Sequence, residues 1–185
     1  LGWMYETWHP NCDDPGRVKG EIQYSVWSDV LICPHCTKSV IYWDLAWQAE
    51  RTASGNMLTC PVCSTNSPKR DFARTTVTVF DRELNKVSII RNQVPVLINY
   101  LVGKRRYTKL PDSADLEVIQ KINDSDISGS FPTYPMMFRE GKWGDLQRDY
   151  HEGISHSHHF YSRRNLMVLA AVQGRINPDN NRVQK

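Results

Sequence analysis

A chain of 185 residues is long enough to bury one hydrophobic core of ordinary size, and its 40% hydrophobic and 23% charged content is that of a globular protein. No apolar run approaches the roughly 20 residues of a membrane-crossing helix, which excludes a helical span. The net charge is only +3, yet residues 69–110 hold ten Lys and Arg against three Asp and Glu, between flanks that are acidic on balance. The chain opens Leu1-Gly2-Trp3 without a secretory signal pattern and reads as a segment of a longer protein. Four of the five cysteines fall in two Cys-x-x-Cys pairs, which suits a reducing cytoplasm better than a secreted disulfide framework and leaves Cys12 over.

Residues 21–32 alternate apolar and polar side chains and predict a half-buried strand running straight into Cys33. Residues 40–47 predict a second strand, with Ile41, Trp43 and Leu45 on one face. The polar residues 48–56, with Gly55, predict a turn leading to a short approach over residues 57–59 and the second cysteine pair. After a linker at residues 64–70, Thr and Val alternate through residues 72–80, and a hairpin loop at residues 81–86 returns the chain as residues 87–90. Apolar residues 94–102, the turn Gly103-Lys104-Arg105-Arg106 and residues 107–110 predict another hairpin, so the basic block consists mostly of strands and hairpin tips.

Asp112 and Asp115 stand as N-cap and third residue of a helix over residues 113–123, whose apolar stripe is Leu116, Val118, Ile119 and Ile122. A loop of about 30 residues follows, a length that is usually functional or disordered. Ser162 is placed to cap a second helix carrying Leu166, Leu169, Ala170 and Gln173 on one side, with Gly174 to end it. Residues 177–185 are polar and predict a flexible tail. The fold class expected is α+β: a zinc ribbon of two Cys-Pro-x-Cys knuckles, further antiparallel β-hairpins and two C-terminal helices. By segment, residues 1–20 connect, 21–70 form the ribbon, 71–111 the basic hairpins and 112–176 a helical and loop region.

Cys33-Pro34-His35-Cys36 and Cys60-Pro61-Val62-Cys63 are the strongest chemical signal. Two residues between cysteines let one tight turn aim both sulfurs at a single ion, and four thiolates satisfy a tetrahedral structural zinc. Pro at the same place in each pair fixes the first φ of each turn. A redox pair would need only one Cys-x-x-Cys beside a βαβ unit, whereas here two lie between strands. His35 could replace a sulfur only where a thiolate is missing, and His9-Pro10-Asn11-Cys12 has ligand-like types but also suits a surface histidine and an ordinary thiol.

Lys104, Arg105, Arg106 and Lys109 crowd one predicted hairpin tip beside Tyr100 and Tyr107, an arrangement suited to phosphate contact with stacking, or to a solvated loop. The run from His156 to Asn165 brings His158, His159, Tyr161, Arg163 and Arg164 to a helix entrance, where backbone N–H groups favour anions. Its histidines could also hold a second metal, but no acidic or cysteine partner stands at fixed spacing. There is no P-loop, no Gly-rich loop after a strand and no nucleophile elbow.

Taken together, Gly2 to Thr7 (GWMYET), Tyr24 to Val30 (YSVWSDV), the two knuckles, Val94 to Tyr100 (VPVLINY), Gly153 to Tyr161 (GISHSHHFY) and Arg164-Asn165-Leu166 resemble the zinc-ribbon region of certain prokaryotic DNA methyltransferases. The resemblance is spread over most of the chain. It implies a cytoplasmic parent enzyme that transfers a methyl group from S-adenosylmethionine to an amino group of a DNA base, with this chain as the DNA-contacting accessory region. The cofactor loop and the Asp/Asn-Pro-Pro-aromatic motif of such enzymes would lie in the parent's own catalytic domain: Phe131-Pro132-Thr133-Tyr134 here lacks the double Pro. The alternative expectation is a structural zinc module that packs on that catalytic domain without touching DNA.

Overall fold

The computed structural model describes residues 1–9, 16–49, 57–135 and 154–176, apart from the side chains of residues 48 and 49. Its organising element is β2 (Lys19–Ile32), a 14-residue strand that meets different neighbours along its length. Its start, residues 19–21, pairs with β1 (Glu6–Trp8), residues 21–29 pair with β9 (Gln93–Val102), and β10 (Arg105–Lys109) extends the sheet beyond β9, with every pair antiparallel. Its last residues, 30–32, pair with β3 (Ser39–Ile41) and β6 (Ala73–Arg74). Thus the segments read from sequence as ribbon and basic hairpins share one strand.

Register shifts between Ile22 and Tyr24 and between Val26 and Trp27 interrupt the pairing of β2 with β9 and bend the strand along its length. Pro95, opposite Trp27, lies outside the stretch of β9 that β10 pairs, so its missing donor costs no bond on that side. The chain also forms two separate two-stranded sheets, β4 (Met57–Thr59) with β5 (Asn66–Pro68), and β7 (Thr76–Asp81) with β8 (Lys86–Arg91). In the β7–β8 turn Asn85 takes a φ of 50° and the Asp81 Oδ1 accepts from the Glu83 and Leu84 N–H groups, each at 3.1 Å.

One expected strand is mostly helix. Only residues 39–41 are extended; Tyr42–Ala49 forms α1. Tyr42, Leu45 and Ala49 fit a 3.6-residue period as well as the alternation fits a strand, and Ser28 on β2 decides between them. Its hydroxyl accepts from the Trp43 N–H at 2.8 Å, capping the first turn from across the fold. The helix at Ser113–Asp124 (α2) forms as expected, with a reciprocal capping box between Asp112 and Asp115. The last helix, α3, runs Arg163–Ile176 and passes through Gly174 instead of stopping there. Its start is capped by the Ser162 hydroxyl, which accepts from the Asn165 N–H at 3.4 Å. Cys12, most of the long loop, Trp143 and the tail lie outside the described residues.

Two buried clusters result. Leu31, Val40, Leu45, Leu58 and Phe72 close around Cys33 and Cys60, while Ile22, Ile98 and Tyr100 fill the sheet below Tyr5, Val102 and Tyr107. Tyr100 is fully buried because Gly20 on β2 makes room for its ring: a Cβ at Gly20 would lie 2.4 Å from Tyr100 Cδ2 and 2.9 Å from the Leu101 carbonyl. Among the described residues no helix is long and apolar enough to cross a membrane.

Candidate metal centre

The end of β2 delivers Cys33 and the end of β4 delivers Cys60, and each begins a turn of the same geometry. Cys33 N–H donates to the Lys38 carbonyl and Thr37 N–H to the Cys33 carbonyl, both at 3.0 Å. In the other turn, Cys60 N–H donates to Thr65 at 3.0 Å and Ser64 N–H to Cys60 at 2.9 Å. The residue after each second cysteine, Thr37 or Ser64, has a φ of 58°. That is a strained region for side chains other than Gly, and its repetition marks a conformation imposed on both turns alike.

The two knuckles face one another. Cys33 Sγ stands 3.8 Å from Cys63 Sγ, and Cys36 Sγ 3.8 Å from Cys60 Sγ. Metal–sulfur bonds of about 2.3 Å in a tetrahedron set sulfurs about 3.8 Å apart, so the four cysteines have the spacing of a tetrathiolate site and are compatible with a structural zinc. A disulfide needs sulfurs at about 2 Å, and these thiols are free. Crowding also splits their acidities. The Cys63 thiol, favoured as thiolate by the Thr65 hydroxyl and N–H, falls to about 6. The Cys36 thiol, despite the Lys38 N–H, is pushed up to about 11 by burial and by its sulfur neighbours. A divalent cation among them is what would let all four ionise together.

His35 does not join this set. Its Nε2 lies 2.9 Å from the Ser67 hydroxyl, which is buried on β5, so the imidazole ties one knuckle to the other. His9 is likewise occupied, with Nδ1 at 2.9 Å from the Tyr100 hydroxyl.

The nine residues expected to face DNA divide in two. Lys104, Arg105 and Arg106 are exposed at the β9–β10 turn and have no ion-pair partner among the described residues, and Tyr161 is exposed before α3. The others are turned inward. The Lys109 side chain is only 6% exposed, and its Nζ reaches Asp112 Oδ2 at 2.7 Å, Asp115 Oδ2 at 2.8 Å and the Trp8 carbonyl at 3.2 Å. It therefore serves as an internal lock, a correction to its reading as a phosphate contact.

Arg163 donates to Glu83 at 3.0 Å and to the Ser125 carbonyl, and Arg164 lies over the Tyr5 ring. His158 and His159 both point Nε2 at Asp81 Oδ2, at 3.0 Å and 2.8 Å. Tyr100 and Tyr107 stack on one another inside the fold, which leaves Tyr100 unable to stack on a base.

Asp81, Glu83 and Asp115 are the functional partners that sequence reasoning missed. Each sat in a turn or cap whose local role already accounted for it, and the second role depends on residues about 80 to 110 positions away. No known protein family, no curated protein and no solved structure matches the chain.

Proposed function

We propose that this chain is the zinc-stapled, DNA-contacting accessory region of a DNA methyltransferase. Cys33, Cys36, Cys60 and Cys63 hold a structural zinc, and Lys104, Arg105 and Arg106 contact phosphate. The parent's own catalytic domain supplies S-adenosylmethionine binding and methyl transfer, and this chain carries out no chemical step. The methyltransferase part of the reading rests on the sequence resemblance.

The observation that carries DNA contact is the β9–β10 tip: three adjacent cations, exposed and unpaired among the described residues, on a turn braced by the central sheet. Strand alternation sends Arg105 and Arg106 to opposite faces, so with Lys104 in the turn before them the tip offers up to three phosphate contacts. An enzyme that works on a base must hold the flanking duplex while that base is exposed, and a rigid basic hairpin suits that task.

The test is fluorescence anisotropy with a short duplex over a range of salt. Changing Lys104, Arg105 and Arg106 together to Ala should weaken binding and lower the slope of log affinity against log salt by up to about 2.7, at about 0.9 per phosphate contact. Unchanged affinity and slope in a folded variant refute the assignment.

A second reading, packing on the parent's catalytic domain without DNA contact, has its own support in the β7–β8 hairpin. Phe80, Val87 and Ile89 share its outer face at 59%, 66% and 62% exposure. A lone two-stranded sheet with an apolar outer face gains from being covered. If this reading holds, Phe80→Lys with Ile89→Lys abolishes copurification with the separately expressed catalytic domain.

A further inference from the structure

The histidine run finds in the tertiary structure the acidic partner that its own segment lacks. Asp81 ends β7, and its Oδ1 is fully used by the Glu83 and Leu84 N–H groups. That fixes the carboxylate and aims Oδ2 at the turn Ser157–Phe160, where His158 Nε2 and His159 Nε2 converge on it at 3.0 and 2.8 Å. The three ligand atoms lie within 4.8 Å of one another, and the side chains of Asp81, His158 and His159 are 4%, 4% and 8% exposed. A buried carboxylate facing two imidazoles calls for positive charge at its centre. Arg163 is committed to Glu83 and Ser125 and does not provide it.

We propose that Asp81, His158 and His159 form a second metal site, distinct from the four cysteines, that takes a six-coordinate first-row divalent ion. Two imidazoles and one carboxylate favour such an ion over Mg²⁺ or Ca²⁺, which prefer all-oxygen sites. Coordination number follows from spacing. Bonds of about 2.1 Å place neighbouring ligands about 3.0 Å apart at right angles and about 3.4 Å apart in a tetrahedron. The 2.8 and 3.0 Å from Asp81 Oδ2 to the two imidazole nitrogens, which are also hydrogen-bond lengths, suit the right-angled arrangement better than the tetrahedral one. Three protein ligands leave three positions for water or a ligand.

One further feature bears on this assignment. His158 Nδ1 is buried without a hydrogen-bond partner among the described residues, so the Asp81 carboxylate holds the proton of the neutral ring on Nε2, and a metal there must displace it. His158 also lines a cleft of about 310 Å³ with Phe131, Tyr161 and Leu166, so the cluster lies beside a surface opening. The Ser155 N–H donates to His159 Nδ1 at 3.2 Å, which places the proton of a neutral ring on Nε2 toward Asp81. Binding must displace that proton to Nδ1, where the Ser155 hydroxyl, 3.4 Å away, can accept it.

The experiment uses zinc-loaded chain with uniformly ¹⁵N-labelled histidine, titrated with Mn²⁺ and then, on fresh protein, with Co²⁺. The expected result is loss of the His158 and His159 ring-nitrogen signals at one equivalent of Mn²⁺ while His35, beside the cysteines, is unaffected. Asp81→Asn should weaken binding at least 10-fold, as judged by the same titration, with its cysteine-bound zinc retained as the sign of a folded chain. Because the wild-type titration stands without any variant, failure of Asp81→Asn to fold does not spoil the test. If His158 and His159 keep their signals through excess Mn²⁺ and Co²⁺, the cluster is a proton-held latch between the β7–β8 hairpin and the turn before α3, and the metal site is refuted. Equal binding by wild type and Asp81→Asn also refutes it. The cysteine site's own metal content is read separately, so its failure would not be mistaken for this one.

Discussion

Replacing Lys109 by Met separates an internal role from a DNA-binding one. Met keeps most of the aliphatic stem and removes the ammonium, whose three protons are matched to Asp112, Asp115 and the Trp8 carbonyl. Asp112 is half exposed and can rehydrate, so its loss counts for little. Asp115 is 4% exposed and keeps Thr7 and the Asp112 N–H as donors, but it loses the cation paired with it. Breaking a buried pair from one side costs about 3–5 kcal/mol, and the remaining donors to Asp115 put the expectation near the lower end, about 3 kcal/mol. For a chain of this size that lowers Tm by about 6–12 °C.

The acidities set the pH window. Burial pulls the Lys109 ammonium down, but the two carboxylates outweigh it and hold it above the usual lysine range. A raised group stabilises fully below its unfolded value and loses the contribution as pH rises through the folded one. Burial raises the Asp112 carboxyl, but Lys109 and the Asp115 N–H outweigh it and hold it below the usual range. That contribution is present above its unfolded value and is lost as pH falls through the folded one. The gap in Tm between wild type and Lys109→Met should therefore be flat from about pH 5 to about pH 9 and narrow outside it. Thermal melts followed by circular dichroism measure it. A Tm within about 1 °C of wild type at neutral pH would refute the lock, as would a reduced salt slope in DNA binding by the folded variant.

Chelating the metal, or changing Cys60 to Ser, should unfold the segment from the end of β2 to β5, seen as lost amide dispersion around Leu31, Val40 and Leu58; a purified chain that stays folded with no metal at its cysteines overturns that expectation. Gly20→Ala should destabilise by about 1–3 kcal/mol in a urea titration, because the new methyl meets the fully buried Tyr100 ring and a strand carbonyl. Gly174→Ala should instead stabilise by about 0.5 kcal/mol, since that position is helical with open space where the Cβ would go. A neutral or destabilising result there would mean that the last turn of α3 contributes nothing.

Much of the local structure was legible because local chemistry decides it. The knuckles follow from Cys-Pro-x-Cys spacing, the β7–β8 and β9–β10 hairpins from alternating Thr and Val and from Gly103, and α2 from Asp112 and Asp115 at its start. Local chemistry misled where two periods fit the same residues. Residues 42–47 read as strand until Ser28, from another element, capped them as helix. Gly174 read as a stop, yet only a left-handed conformation would have made it one, and its φ is not positive.

The sequence by itself determined which residues could bind a metal at the cysteines, because ligands two residues apart converge within a single turn. It also determined where the basic tip would lie. What only the tertiary structure decided is which charges remain available. Lys109 and Arg163 look like their exposed neighbours in sequence, but burial beside Asp115 and Glu83 commits them inward. The Asp81, His158 and His159 cluster is the same case, because a pairing 77 residues apart leaves no periodicity or spacing to read. It exists only once the β7–β8 hairpin and the turn before α3 are packed together, and desolvation there makes the contact matter.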